Sequence, residues 1–323
     1  HINLRHWLFT LTFALSAASG PAFAQQPSSW PSKPVSIVMG GTNLFEIGLY
    51  KEKLEAVFDK TFILDNKPGA NNAIAGVYVA KAQPDGHTLL YVVASYVLAP
   101  AFDDKLPYDI LKDFAPVSLL STIPVFLQAN PNFPANNMKE YIAYARANPG
   151  KILWGADGAG SLQHLAGEWM HDLIGAPATF IQYKTGTAAT NDMMAGRIHV
   201  QPRPVTGTIQ FVKAGKLKVL GVIGPRRERT FPDLPTAQEV GLKDIEVPTF
   251  IGIAAPARTD RAIIGRLSTE FARIVKLPDI RDKLEPLGNT QIGSTPDEFG
   301  KYMAEKVATF KKLVKDKNIK AEQ

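Results

Sequence analysis

WGADGAGSLQHLAGEWMH, residues 154–171, follows the apolar run Lys151-Ile-Leu and places glycines at 155, 158 and 160 ahead of a helical pattern. Strand, glycine-rich turn and helix in that order form one unit of an α/β fold. A helix that starts near Ser161 exposes unpaired N–H groups and the positive end of its dipole, and the serine adds a hydroxyl. Glycines let a ligand oxygen approach the backbone, so the loop suits a carboxylate. Other chemistries fit less well. A hydrolase nucleophile elbow needs a glycine two residues after Ser161, where Gln163 stands. A dinucleotide fingerprint beginning at Gly158 and Gly160 needs a small third residue, again at Gln163. His164, Glu168 and His171 share a helix face as metal ligands would, but no fourth ligand is evident, and a local reading suffices. In that reading His164 caps the helix start and Glu168 pairs with His171. No metal or cofactor is expected.

The same unit recurs on both sides. Val35–Met39 runs into Gly40, Gly41, Thr42 and Asn43 and then a helix from Phe45 to Phe58. Tyr183 leads into Thr185, Gly186 and Thr187 and a helix near 188–195. Further strands are expected at 62–65, 88–94, 218–224 and 250–256, with helices at 72–82 and 138–147; residues 116–129 form one long β-rich run. Alternation of this kind predicts parallel sheets in both halves, with the loops at their carboxyl ends converging on a cleft. Near the C-terminus, Thr295-Pro-Asp-Glu298 is a capping box, followed by apolar residues at helical spacing from Phe299 to Val314.

Composition narrows the function. The first residues combine a basic start, an apolar run from Trp7 to Ala18 and small residues at Ala22 and Ala24, which predicts a secretory signal peptide over 1–24 and a periplasmic destination. The run is too short for a membrane anchor. The chain has no cysteine, so disulfides, thiolate metal sites and cysteine nucleophiles are excluded. A net charge of +6 with lysines and arginines spread along the chain, clustered only at Arg226, Arg227 and Arg229 and at the C-terminus, reads as a solvated basic surface and not as a nucleic-acid site.

Several blocks together resemble a known family: Trp30-PSKPVSIV, Asp65-NKPGANN, Ala80-KAQPDGHTLL, Leu106-PYDILKDFAPVSLL, Asn148-PGKILWGADGAGSLQHLAGE, Tyr183-KTGTAATNDMMAGRI and Phe231-PDLPTAQEVGL follow, in order, the pattern of Bug-type receptors. These are periplasmic substrate-binding proteins of tripartite tricarboxylate transporters. The resemblance implies a type II periplasmic-binding-protein-like fold: two α/β domains joined by a two-strand hinge, with the ligand cleft between them. Residues 25–124 plus 250–323 would form domain 1 and residues 125–249 domain 2, with crossings near Thr122–Val125 and Val247–Ile251. It also implies a small carboxylate ligand, either a di- or tricarboxylate or an aromatic acid, a monomeric receptor without catalysis, and delivery to the membrane subunits of a transporter. The alternatives from other classes are a sensor that presents its closed form to a membrane kinase and an exported hydrolase using Ser161.

Carried onto this chain, one ligand carboxylate would be held by Gly160, Ser161, Thr185, Gly186 and Thr187, and Gly40, Gly41, Thr42 and Asn43 would close over the other side. Ser95, after the third strand, is a further cleft candidate. Phe250, at the second crossing, would either stack on an aromatic ligand or pack the crossover strand. Two departures stand out. The loop after the first strand is shorter than the family's, with Leu44 where an aspartate is usual. Arg203 stands about where the family has an acidic residue, and a guanidinium facing the cleft would suit a second negative group.

Overall fold

The computed structural model describes residues 30–319 except 42, 43, 159, 230 and 248. The expected leader, and Thr42 and Asn43 of the first cleft loop, lie outside the described residues. Along the chain run β1 (Val35–Met39), α1 (Phe45–Phe58), β2 (Phe62–Asn66), α2 (Ala73–Ala80), β3 (Thr88–Val93), α3 (Ala94–Leu98) and β4 (Phe114–Ile123). Next come β5 (Phe126–Ala129), α4 (Met138–Ala147), β6 (Leu153–Ala156), α5 (Leu162–Ile174), β7 (Thr179–Gln182), α6 (Gly186–Met194), β8 (Val200–Arg203), α7 (Ile209–Lys213) and β9 (Lys218–Val222). β10 (Thr249–Pro256), α8 (Arg261–Ile274), α9 (Pro278–Leu284), β11 (Thr290–Gln291) and α10 (Pro296–Asp316) complete the order.

The strands form two sheets, one ordered β11-β4-β10-β3-β1-β2 and the other β7-β6-β8-β5-β9. The chain passes between them twice, from β4 directly into β5 and from β9 through an irregular segment into β10. The long apolar run at 116–129 is therefore two strands in different sheets, parted at Pro124. Wholly parallel sheets were expected; instead β5, β10 and β11 run against their neighbours. β5 and β10 enter from the other lobe, so each starts at the edge where helix-connected strands finish and must run the opposite way. The consequence is positional: β1, β2 and β3 of one lobe and β6, β7 and β8 of the other all end at the inter-lobe edge.

Each sheet is covered on both faces. In the larger lobe, α1, α8 and α9 bury Tyr50, Leu54, Leu267, Phe271 and Leu284 on one side. On the other side α10 buries Phe299, Met303 and Phe310 against β10 and α3. Fully burying side chains of this size contributes roughly 1.5–3 kcal/mol each before entropy is counted. The capping box at Thr295 and Glu298 starts α10 as its sequence predicts. In the smaller lobe, α4 and α5 pack around Tyr141, Trp154 and Met170. Leu165 of α5 belongs to the apolar cluster of the larger lobe, so the two lobes touch through α5 and α3.

Candidate functional site

Helix α5 follows β6 and packs on α3, which follows β3, so the loops of the two lobes meet at one edge. On the smaller lobe, Ser161 is the N-cap of α5: its Oγ accepts the His164 N–H at 3.2 Å. Thr185 does the same for α6, accepting the Ala188 N–H at 3.3 Å. Each hydroxyl oxygen accepts from one of the N–H groups that a helix start leaves unpaired; the N–H groups of the first two helical residues remain open.

Arg203 ends β8 and lies against the start of α6. A Cβ on Gly186 would stand 1.6 Å from Arg203 Nη1 and 2.4 Å from Cζ, so only glycine lets the guanidinium reach this place. Nη1 is buried without a hydrogen-bond partner among the described residues. A cation beside the positive end of a helix dipole is poorly placed on its own and is stabilised by an anion. Asp157, in the loop after β6, is near enough for Arg203 to favour its ionised form, while burial, the larger effect, raises its pKa above the ordinary value. Below the pair, Gln201 Nε2 donates to Asp157 Oδ1 at 3.2 Å, and Thr190 Oγ1 contacts both Gln201 Oε1 at 3.2 Å and the Gly186 carbonyl at 2.9 Å. The floor of this wall is thus a connected polar chain, beside which Arg203 Nη1 is an open charged donor.

The larger lobe builds its wall differently. Gly69, Ala70, Asn71 and Asn72, between β2 and α2, all have positive φ, at 123°, 46°, 49° and 72°. Such conformations cost roughly 1–2 kcal/mol for each non-glycine residue and persist only when surrounding contacts hold them. Asn72 provides those contacts. Its Nδ2 donates to Ser95 Oγ at 2.6 Å, its carbonyl accepts from Tyr96 Oη at 3.1 Å, and its Oδ1 occupies the space a Cβ on Gly40 would need, 2.2 Å away. Ser95, Gly40 and Asn72 therefore form one neutral polar patch, in which Asn72 was not anticipated. Its signal was the run Gly-Ala-Asn-Asn, since asparagine tolerates the left-handed region. Gly41 is exposed, with open space among the described residues where a Cβ would stand.

Helix α1 starts at Leu44 without a side-chain cap. Its first-turn Glu46 turns inward instead, accepting from Tyr50 Oη, Ser121 Oγ and Asn289 Nδ2, each at 2.6 Å. Burial raises its carboxyl pKa and the three donors oppose the rise. Ser121 is on β4, two residues before that strand ends, so the carboxyl ties the helix after the first cleft loop to a crossing strand.

Three expectations need correction. The Gly160 N–H is not free for a ligand: it donates to His164 Nδ1 at 3.2 Å, because the tight turn points it back at the helix. Phe250 has no exposed surface and packs edge-on against Phe299 and Tyr302, so β10 directs it into the core and away from the cleft. Glu168 approaches His164 at 3.5 Å, while His171 is buried between Tyr141 Oη and the Ala176 carbonyl, both at 2.7 Å. Both ring nitrogens of His171 are therefore occupied, and burial lowers its pKa. Thr187 is exposed on the first turn of α6.

A profile described as tripartite tricarboxylate transporter family receptor matches residues 49–319. Among curated relatives, a UPF0065 protein from Pseudomonas sp. is 28% identical over 315 residues, covering 96% of this chain and 94% of that one. Protein BugT of Bordetella pertussis is 24% identical, covering 94% and 95%. Among solved structures, R. palustris Rpa4515 with adipate superposes with a TM-score of 0.82 at 25% identity, covering 90% of this chain and 99% of that one. MatC from Rhodopseudomonas palustris with bound malate gives 0.77 at 25% identity, covering 88% and 100%. The periplasmic binding protein BugD gives 0.79 at 27% identity, covering 91% and 100%. With two α/β lobes, loops meeting between them and a profile spanning most of its length, the chain belongs to the tripartite tricarboxylate transporter receptor family.

Proposed function

We propose that this protein is a periplasmic receptor that captures a small carboxylate between its lobes and delivers it to the membrane subunits of a tripartite transporter. The reading rests above all on Arg203, a guanidinium held against Gly186 with Nη1 buried and unpartnered. A carboxylate there would take a charge-assisted hydrogen bond from Arg203, N–H groups from Gly186 and Thr187, and the Ser161 hydroxyl from the neighbouring helix start. The uncharged patch of Gly40, Asn72 and Ser95 would close over the rest of the ligand. Adipate and malate, the ligands of two solved relatives, define the class to test first.

Residues 25–124 with 250–323 would move against 125–249 about the crossings at Thr122–Val125 and Val247–Ile251, burying the ligand. A thermal-shift screen over di-, tri- and aromatic carboxylates, followed by calorimetry on wild type and Arg203→Ala, tests the reading. A stabilising acid whose affinity falls in the variant supports it. Equal affinity in both proteins for every acid that binds would refute the role of Arg203, and an empty screen would refute the carboxylate class.

A further inference from the structure

A second inter-lobe space lies beyond the crossing strands, on the side where β11 and β9 form the sheet margins. Its volume is about 700 Å³. Arg226, Arg227 and Arg229, in the segment after β9, line it from the smaller lobe, and Lys276 and Arg281 line it from the larger lobe. Among the described residues, the acids in its lining are Glu228 and Glu285. Arg227 is already paired, donating from Nε to both Glu239 oxygens at 3.0 and 3.1 Å, and Arg281 donates to Glu285 at 2.9 Å. Arg229 approaches the same Glu285 only to 4.0 Å. Among the described residues, neither Arg226 nor Lys276 lies within 4.0 Å of a carboxylate, although Arg226 is near enough to Glu228 to oppose the rise that burial gives its pKa. The space adjoins a smaller one of about 300 Å³, with which it shares Arg226, Glu228 and Thr290, and which is lined by Ile123, Pro124, Val125 and Val247 of the two crossings.

We propose that this basic space is a second binding site, distinct from the carboxylate cleft, for a small multivalent anion of the oligophosphate or polycarboxylate type. Cations project into it from two lobes and outnumber the acids that face them, so they repel across the gap, and an anion with charge at both ends offsets that repulsion where a monovalent ion cannot bridge it. The walls belong to lobes joined through the crossings, so the gap between them changes with the hinge angle. An occupant that spans it favours one lobe arrangement, which links the site to opening and closing of the other cleft.

Pyrophosphate is the probe. Titration by calorimetry at fixed ionic strength compares wild type, Arg203→Ala and the double variant Arg226→Glu/Lys276→Glu. Wild type and Arg203→Ala are expected to bind alike, and the double variant to lose about tenfold or more in affinity, as expected for truncated charge contacts. Arg226→Gln/Lys276→Gln, which adds no new charge, is expected to fall between them and guards against a misfolded double variant. No binding to wild type, equal binding to both double variants and wild type, or loss in Arg203→Ala instead, each overturns the site. Small-angle scattering of wild type with saturating pyrophosphate reads the linkage: an altered lobe arrangement supports it, and an unchanged profile overturns it.

Discussion

Both walls of the cleft are strand-to-helix loops, yet they hold their shape by different means. The smaller lobe uses side-chain caps at Ser161 and Thr185 and leaves a charged donor, Arg203, open above a polar floor. The larger lobe has no cap at Leu44; it holds four consecutive residues at positive φ through Asn72 and anchors α1 through the buried Glu46. One wall therefore presents charge on ordinary backbone, while the other presents neutral groups on strained backbone. Under the proposed function, the contrast suits a division of labour in which the first would fix a carboxylate and the second would shape the space around the remainder.

The comparison breaks most visibly at Arg203. Arg203→Ala is expected to weaken carboxylate binding by about 3 kcal/mol, roughly a hundredfold, and Gly186→Ala to act in the same direction by displacing the guanidinium. Calorimetry reads both, and a Gly186→Ala protein of unchanged affinity would show that Arg203 does not depend on that close approach. On the other wall, Glu46→Ala strands two buried donors, Ser121 Oγ and Asn289 Nδ2, while Tyr50 Oη keeps Gln291 Oε1 at 2.7 Å, and is expected to cost about 2.5 kcal/mol in urea unfolding. Asn72→Ala is expected to cost about 1–2 kcal/mol, and Asn72→Gly less, because glycine keeps the left-handed backbone while losing the side chain. If the two variants are equally stable, backbone strain is not what Asn72 manages.

Smaller effects sharpen the contrast. Ser161→Ala and Thr185→Ala should each cost about 1 kcal/mol, as lost N-caps do, and additively, since they start different helices. Each wall holds a buried acid whose pKa is raised, Asp157 on the smaller lobe and Glu46 on the larger, and the response is tested at Glu46. Burial raises Glu46 from its ordinary 4.5, so the folded chain binds a proton that the unfolded chain has released. That contribution is present below pH 4.5 and is lost as pH rises through the folded value, so wild type should lose stability relative to Glu46→Gln over that range. Parallel stability curves for the two proteins would contradict it.

Much of the local architecture was legible in residue order. The turn from apolar run to glycines to helix marked three strand-to-helix units, and the bounds of α1 and the cap of α10 follow from periodicity and capping chemistry. Less legible was the run at 116–129, because an apolar strand carries no mark of which sheet it joins. The direction of β10 was hidden for the same reason: antiparallel entry follows from the chain crossing between lobes, which no local pattern encodes.

By itself, then, the order of residues determined where most of the strand-to-helix units lie, where several helices start, and that glycine and hydroxyl groups gather at strand ends, because these depend on neighbours a few positions apart; β8, β11, α3 and α7 carried no such local mark. Only the tertiary structure decided which of those groups are open. His164 takes the Gly160 N–H within a single turn, and α10 covers Phe250 from about fifty residues away. Arg203 reaches its place only because β8 ends beside the start of α6, where Gly186 has no side chain to exclude it. A hydrogen-bonding group is available for a ligand when nothing else in the fold has claimed it, and that is settled by packing between elements distant in the chain.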